Sequence, residues 1–201
     1  MKKISFFLFS FILILFFNSI VLAQSVKVGV GGGLTNVQGP DRFTNDISQD
    51  GFGFSTEYNL GAIVKVDIPL IPITPRGFFL YHKLSGKEDA TEFSQSISSL
   101  GLGLQYGFIP IPVGFDPYLF LDLTYNNFGD FTQTVNGVET MFDGSSRYGL
   151  QLGIGTEVTI VPFINLDLVA GYVWFNLTGK DDGEETISAI TLDLFIIFNF
   201  I

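Results

Sequence analysis

The sequence predicts an all-β fold, an eight-stranded antiparallel up-and-down barrel. Three observations lead to this fold class. Apolar residues alternate with other residues in eight separate segments after Gln24, which is the pattern of strands with two different faces. Short connections that contain proline alternate with longer acidic ones. One strand face collects bulky aliphatic side chains, while the other collects glycine and charge. An up-and-down meander whose two ends meet different surroundings has all three properties.

The residues before the first strand have the features of an export signal. Lys2 and Lys3 precede an apolar stretch, and Val21-Leu22-Ala23 offers a cleavage site before Gln24. We therefore expect residues 1–23 to form a cleaved signal peptide and residues 24–201 to form the barrel domain. An uncleaved N-terminal anchor helix is the alternative interpretation. No later apolar run is long enough to predict a membrane-spanning helix.

The composition excludes several classes of site. Hydrophobic residues make up 47% of the chain and charged residues only 15%, against about 25% charged residues in an ordinary soluble domain. The sequence contains no cysteine, which excludes disulfides, thiolate metal sites and a cysteine nucleophile. The formal net charge of −10 argues against a nucleic-acid partner, because binding to phosphates needs a basic patch.

The first four predicted strands cover residues 26–34, 58–67, 77–85 and 100–107. Valines of the first alternate with Lys27 and glycines, and aliphatic residues of the second oppose Lys65 and Asp67. In the fourth, leucines oppose glycines. The third is the least regular, because both of its faces carry aromatic residues. We assign Lys83 of this strand to the glycine-rich face, and to the aliphatic face we assign Phe78, Leu80, His82 and Leu84.

The last four predicted strands cover residues 119–125, 148–157, 166–174 and 190–200. Leucines of the fifth strand oppose Asp122, and those of the sixth oppose glycines and Glu157. The seventh strand carries Asp167, and the eighth carries Asp193, on the face opposite to its aliphatic residues. All four segments therefore have the same two faces as the first four.

The connections between the strands fall into two classes. Pro69, Pro72 and Pro75 lie in one connection, and Pro162 lies in another. The remaining proline-containing connection holds Pro110, Pro112 and Pro117. Because proline lacks the N–H that a strand ladder needs, we expect these residues to end strand pairing. The other four connections, residues 35–57, 86–94, 126–146 and 178–185, are predicted to be long polar loops that hold most of the acids.

Charged side chains decide which strand face points inward. A charge that faces lipid costs on the order of a few kcal/mol near mid-depth, whereas the lumen of an eight-stranded barrel is narrow and suits small or mutually paired side chains. The aliphatic face therefore points outward to lipid, and the barrel is predicted to be transmembrane. A soluble lipocalin-like barrel is the alternative, but it would leave the glycines outside and crowd leucine inward. The predicted lumen charge network comprises Lys27, Lys65, Asp67, Lys83, Asp122, Glu157, Asp167 and Asp193.

Aromatic residues on the outward face fall at two levels. Such levels are typical of the girdles that form where a barrel meets lipid headgroups, although each ring alone could be ordinary sheet packing. The predicted girdle comprises Tyr58, Tyr106, Tyr125, Tyr148, Trp174, Phe198 and Phe200.

With these features, the chain resembles the eight-stranded outer-membrane barrels of Gram-negative bacteria, which are OmpA- and OmpX-like in topology and include porin-like barrel domains. The segments that carry the resemblance are "VKVGVGGGLT" and the C-terminal "ISAITLDLFIIFNFI". The resemblance implies an integral protein of the outer membrane and cell envelope that contacts lipid and lipopolysaccharide and is monomeric. It also implies recognition of the C-terminal strand by the barrel assembly machinery. One departure is that the usual terminal Phe is here the penultimate residue, Phe200, before Ile201.

These features predict a non-enzymatic role in envelope structure or surface interaction, with acidic loops facing outside. An extracellular ligand of these loops is possible, and the sequence does not indicate what it would be. A conduit for small solutes or apolar compounds, like the OmpW-type barrels, is the second hypothesis. In that case the lumen charges would line a narrow passage with a preference for cations. A conduit for apolar compounds would need an apolar lumen, which the glycines and charges do not predict.

A lipid-modifying enzyme is the remote alternative. His82, the one histidine, and Ser85 lie three residues apart, and residues at that spacing project to opposite faces of a regular strand. We therefore predict no catalytic site. No cofactor or metal is expected either, since "GVGGGL" lacks the spacing of a phosphate loop. "KDDGEE" likewise lacks the spaced ligands of a calcium loop.

Overall fold

The computed structural model describes residues 25–69, 71–108 and 114–200. The predicted signal peptide, Pro110, Pro112 and Ile201 lie outside the described residues. Within them, no helix is long and apolar enough to cross a membrane. The strands are β1 (Ser25–Gly39), β2 (Thr56–Asp67), β3 (Ile73–Glu88), β4 (Thr91–Gly107), β5 (Phe115–Phe128), β6 (Phe131–Val135), β7 (Val138–Phe142), β8 (Ser145–Val161), β9 (Ile164–Thr178) and β10 (Ser188–Phe200).

Eight of these strands close into a barrel. Each pairs antiparallel with the next around the ring, and β1 closes the ring by pairing with β10 from Val26 opposite Phe200 up to Gly39 opposite Ser188. β5 pairs directly with β8, because the β6–β7 hairpin between them lies outside the ring and pairs with the start of β4. The predicted eight-stranded antiparallel up-and-down barrel is therefore confirmed.

The two ends of the barrel differ, as the connections predict. One end, called here the short-connection end, holds the β2–β3, β4–β5 and β8–β9 connections together with Ser25 and Phe200. The opposite loop end carries the segment 40–55, which contains a helical turn α1 (Asp41–Thr44) and a 3₁₀ turn (Ile47–Gln49). It also carries the β6–β7 hairpin and residues 179–187.

Two predicted loops at the loop end are partly wrong. Strands β3 and β4 continue to Glu88 and Thr91, so the predicted long loop 86–94 is a two-residue turn in which Asp89 has a φ of 49°. The predicted loop 126–146 contains the β6–β7 hairpin, which turns at Asn136 and Gly137 with φ values of 50° and 79°. Asn-Gly suits this two-residue turn, because both positions need positive φ.

The prolines end strand pairing only in part. Pro162 lies in the turn between β8 and β9, as predicted, whereas Pro75 and Pro117 lie inside β3 and β5. Pro75 pairs with Leu104, although the β2–β3 ladder begins one residue later. Pro117 pairs with Thr156 in the same way, beyond the end of the β4–β5 ladder. Each proline therefore occupies a rim position with a neighbour on one side only, where a missing N–H leaves no gap in a second ladder.

The aliphatic strand face points outward. Leu102 and Leu123 are 71% and 70% exposed, and the alternate residue Asp122 is fully buried inside the barrel. A belt of exposed leucine, isoleucine and valine surrounds the barrel between its two ends. An outer surface of this kind is stable in contact with hydrocarbon but not with water.

Candidate functional site: the barrel lumen and the loop end

A network of charged side chains fills the lumen near the short-connection end. Lys65 is fully buried, and its Nζ lies 2.6 Å from Oδ2 of Asp167 and 3.2 Å from Oε2 of Glu157. Lys27 joins the same network, with its Nζ 2.6 Å from Oε1 of Glu157 and 2.7 Å from Oδ2 of Asp67. Four strands, β1, β2, β8 and β9, are thereby linked across the lumen.

Tyr118 closes this network on the side of β5. Its hydroxyl donates a 2.7 Å hydrogen bond to Oδ1 of Asp167, and Nζ of Lys65 lies 4.7 Å from the centre of its ring. The sequence reasoning did not assign Tyr118 to the lumen. The alternation contained the signal, since Tyr118 has the same parity along β5 as Asp122.

Arg76 is a second lumen residue that the sequence analysis missed. Its Nε lies 3.3 Å from Oδ1 of the buried Asp122, and its guanidinium stacks 4.3 Å from the ring centre of Phe120. Arg76 stands just before the predicted third strand and on the same face as Phe78. Because β3 begins four residues earlier than predicted, this cation fell outside the predicted pattern.

The faces of the third strand are the reverse of the prediction. Phe78, Leu80, His82 and Leu84 point inward and are buried, whereas Lys83 is exposed on the outer surface. The assignment of Lys83 to the lumen network is therefore wrong. The rule that bulky apolar residues point outward fails on this strand, because Phe79 and Tyr81 supply the outward apolar surface instead.

A polar layer lies between the mid-lumen and the loop end. The Asn59 amide donates hydrogen bonds of 2.7 Å to Oδ1 of Asp193 and 3.1 Å to Oγ1 of Thr35. His82 Nδ1 lies 2.8 Å from the same Thr35 hydroxyl. Ser85 does not reach the histidine, since its hydroxyl bonds to Glu57. His82 is thus a buried member of the lumen, not a residue of the outer wall.

Apolar side chains fill the lumen on both sides of this polar layer. Phe78, Phe120 and Phe195 belong to a cluster in the middle of the barrel, and Phe128 and Phe175 belong to a second cluster at the loop end. The sequence predicted a lumen of glycine and charge and missed this filling. The apolar side chains fit inside the barrel because glycines in the wall leave space, and aromatic rings from neighbouring strands occupy that space.

Three contacts show this fit between glycine and ring. A Cβ atom on Gly101 would overlap the ring of Phe78, and one on Gly155 would overlap the ring of Tyr118. A Cβ on Gly153 would lie 2.8 Å from the ring of Phe120. Glycine is therefore required at these positions by the close approach of an aromatic side chain, and the interior is packed like a protein core.

All seven residues of the predicted aromatic girdle lie on the outward face. Tyr125 and Tyr148 neighbour one another near the loop end, with ring centres 5.4 Å apart, and Trp174 lies 4.7 Å from Tyr172. Tyr106, Phe198 and Phe200 lie toward the short-connection end. Contact of these rings with headgroups remains a prediction.

Arg147 organises the loop end at the mouth of the barrel. It is buried, and its Nη2 donates 2.7 Å hydrogen bonds to Oδ2 of Asp181 and to Oε2 of Glu184. Asn176 donates a 2.7 Å hydrogen bond to the other oxygen of Glu184 and accepts one of 2.6 Å from the Ile187 amide. The acidic "KDDGEE" segment is thus tied to the barrel at Asp181 and Glu184, not wholly solvated.

The charge of Glu184 depends on these hydrogen bonds. Burial by itself would raise its pKa, but the hydrogen bonds from Arg147 and Asn176 outweigh burial and lower the pKa below its ordinary value of 4.5. A carboxyl group whose pKa falls on folding contributes stability above its unfolded pKa, and this stability is lost as the pH falls through the folded pKa.

We therefore expect acid pH to loosen the segment 179–187. The amide of Ile187 should exchange with solvent faster as the pH is lowered below about 4.5, after correction for intrinsic exchange rates. Glu184→Gln should show fast exchange already at neutral pH, because the bidentate contact with Arg147 needs a carboxylate. Hydrogen exchange followed by mass spectrometry measures both effects.

Glu185→Gln is the matched control, since Glu185 is the neighbouring residue and is exposed. It should retain the exchange rate of the wild-type protein across the pH range. Equal exchange rates in Glu184→Gln and Glu185→Gln would contradict the role of Glu184.

Phenylalanines hold the segment 40–55 onto the barrel rim. Phe52 contacts Phe43 at 5.2 Å between ring centres, Phe93 at 5.1 Å and Phe131 at 4.8 Å. The segment is therefore packed against β4 and the β6–β7 hairpin, and the loop end is a structured platform. Among the described residues, no three His, Asp or Glu side chains are grouped so that they could hold a metal ion.

A family model described as "Outer membrane protein beta-barrel domain" matches residues 9–194 of the sequence. No curated protein gives a significant match.

Solved structures with a similar fold include three outer-membrane barrels of low sequence identity. Neisserial surface protein A has a TM-score of 0.54 at 15% identity, over 88% of this chain and 97% of that one. Ail, the attachment invasion locus protein of Yersinia pestis, solved in complex with the heparin analogue sucrose octasulfate, has a TM-score of 0.55 at 14% identity, over 88% and 99%. A major outer membrane protein from Thermus thermophilus has 0.55 at 13%, over 87% and 99%.

The family match covers most of the chain, and the similar structures have the same barrel fold. An outward aliphatic belt and a closed ladder without free edges in the ring meet the two requirements for a strand-built membrane protein. The chain belongs to the outer membrane protein beta-barrel domain family and is an integral protein of the bacterial outer membrane.

Proposed function

We propose that this protein is a non-conducting, non-enzymatic outer-membrane barrel that presents its loop end to the outside for interaction with other molecules. The observation that carries the proposal is the filled lumen. Two apolar clusters and a charge network occupy it from the short-connection end to the loop end. Ions need an open path, and an interior packed in this way does not favour one. The structured loops are then the part of the protein that can meet a partner.

The packing also bears on the conduit hypothesis. A passage for apolar compounds needs an open apolar lumen, and the apolar side chains here fill the space themselves. Phe120 and Phe195 are 5% and 2% exposed, which means that their surfaces are covered by other side chains. This supports a closed interior over an OmpW-like conduit.

We expect planar bilayers that contain the purified protein to show no discrete current steps. The physical reason is that opening a path would require several buried rings and ion pairs to move together. Single-channel recording at high salt measures this directly. Reproducible cation-selective steps would contradict the proposal and favour a narrow passage.

We expect the loop end to face the outside of the cell. The sequence contains no cysteine, so Val138→Cys in the β6–β7 hairpin and Ile71→Cys at the short-connection end provide unique labels. Both native side chains are exposed, at 69% and 50%. A membrane-impermeant maleimide added to intact Gram-negative cells should label the Val138 variant only.

After lysis, both variants should be labelled to the same extent, which controls for the reactivity of the two sites. Labelling of the Ile71 variant in intact cells, with the Val138 variant protected, would show the opposite orientation. The loop platform could not then serve as an outer-surface site.

A further inference from the structure

A cleft of about 560 Å³ opens at the loop end between the segment 40–55 and the β6–β7 hairpin. Phe52, Phe93, Phe131 and Phe142 line it. Phe93 is buried and anchors the base of the cleft, whereas Phe142 is 51% exposed on the hairpin, with its ring centre 6.1 Å from that of Phe131. We call this space the loop-end cleft. Its aromatic wall is open to the surroundings.

The aromatic wall already holds a positive charge. The guanidinium carbon of Arg42 lies 4.9 Å from the ring centre of Phe52, which is a cation–π contact. The rings of Phe131 and Phe142 belong to the same cluster, since Phe131 contacts both Phe52 and Phe142. Their π-faces offer the same kind of interaction to a cation from outside.

The segments that build the cleft carry a large excess of negative charge. Arg42 and Lys87 are their two basic residues, and Lys87 is already paired with Glu92 at 3.6 Å. Against these two, the segments 40–55, 87–92 and 129–144 contain nine acids, namely Asp41, Asp46, Asp50, Glu88, Asp89, Glu92, Asp130, Glu139 and Asp143. An acidic surround of this kind attracts cations and repels anions, including anionic polysaccharides.

We infer that the loop-end cleft binds a polypeptide segment that carries alternating basic and apolar side chains. The apolar side chains would pack on the rings of Phe131 and Phe142, and the basic ones would meet the acidic rim or an aromatic face. A volume of about 560 Å³ accommodates a few side chains of such a segment. The inference rests on the proposed function, because it requires the loop end to face outward.

The test uses the full chain in nanodiscs of zwitterionic phosphatidylcholine and a short synthetic peptide of alternating lysine and leucine. Empty nanodiscs correct for binding to lipid. We expect saturable binding to the protein, weakened at least about fivefold by Phe142→Ala, since removal of an aromatic anchor commonly costs that much. Met141→Ala is the matched control, because Met141 neighbours Phe142, is 62% exposed and does not line the cleft. It should bind as the wild-type protein does.

Two further peptides test the chemistry of the ligand. A peptide with glutamate in place of lysine should not bind, and one with serine in place of leucine should bind at least about fivefold more weakly. Binding no stronger than to empty nanodiscs, equal losses in Phe142→Ala and Met141→Ala, or equal binding of the glutamate peptide would each overturn the inference. A nanodisc leaves both ends of the barrel accessible from solution. The peptide-binding result is therefore independent of the conductance and labelling experiments that test the proposed function.

Discussion

Replacement of Lys65 by methionine is expected to lower the free energy of unfolding by about 3–5 kcal/mol, the cost of removing one partner from a buried ion pair. Lys65 has no exposed surface, and its ammonium lies between the carboxylates of Glu157 and Asp167. Without this cation, Asp167 keeps the Tyr118 hydroxyl but loses its ion pair. Urea unfolding in lipid vesicles, followed by fluorescence of the one tryptophan, Trp174, measures the change.

Two variants separate loss of the ion pair from loss of packing. Lys83→Met removes a lysine that is exposed on the outer surface and should change stability little. The double variant Lys65→Met, Asp167→Asn should recover part of the loss, since neutral groups can replace a buried ion pair at small cost, and it leaves Glu157 paired with Lys27. If Lys65→Met and Lys83→Met are equally stable, the lumen network does not stabilise the barrel.

Replacement of Gly101 by valine is expected to destabilise the barrel by about 1–3 kcal/mol, as overpacking of a filled core does. A Cβ at this position overlaps three carbons of the Phe78 ring, and Phe78 is 5% exposed, so the ring has little room to move. The same urea titration measures the effect. Gly107→Val in the same strand is the control, because a Cβ there meets no atom within 4 Å.

A smaller side chain in place of the Phe78 ring should relieve the overlap with a valine side chain introduced at Gly101. Phe78→Leu alone is expected to cost stability, because it leaves space over Gly101. Combined with Gly101→Val, it should cost less than the sum of the two single changes, and a double-mutant cycle gives this coupling. Additive effects would mean that the two residues do not compete for the same space.

Most of the barrel could be predicted from the alternation of apolar and polar residues. Strand β3, for which the predicted faces are wrong, shows the limit of this method. On β5, Leu121 and Asp122 differ so strongly that only one orientation is stable in a membrane. On β3, Phe78 and Phe79 are equally apolar, so hydrophobicity does not distinguish the inward face from the outward one. Only cross-strand contacts settle this orientation. The same ambiguity misplaced Lys83, whereas Arg76 was missed because β3 begins before the predicted third strand.

The candidate sites were less predictable than the fold, because they depend on residues that are distant in sequence. Lys65, Glu157 and Asp167 could be grouped from their common face, but their pairing required the register of three strands. The contacts at the loop end were even less predictable from the sequence. Arg147 binds Glu184 and Phe52 packs on Phe131, and no periodic pattern connects either pair.

The close packing of aromatic rings against glycines has an evolutionary consequence. A relative that has lost the ring corresponding to Phe78 no longer needs a glycine corresponding to Gly101, and the same holds for Tyr118 with Gly155. Substitutions at these positions should therefore be correlated across homologous genes, and drift at one member of a pair should follow change at the other. The two residues of each pair lie on neighbouring strands of the barrel. Such covariation would therefore reveal their contact from an alignment of sequences.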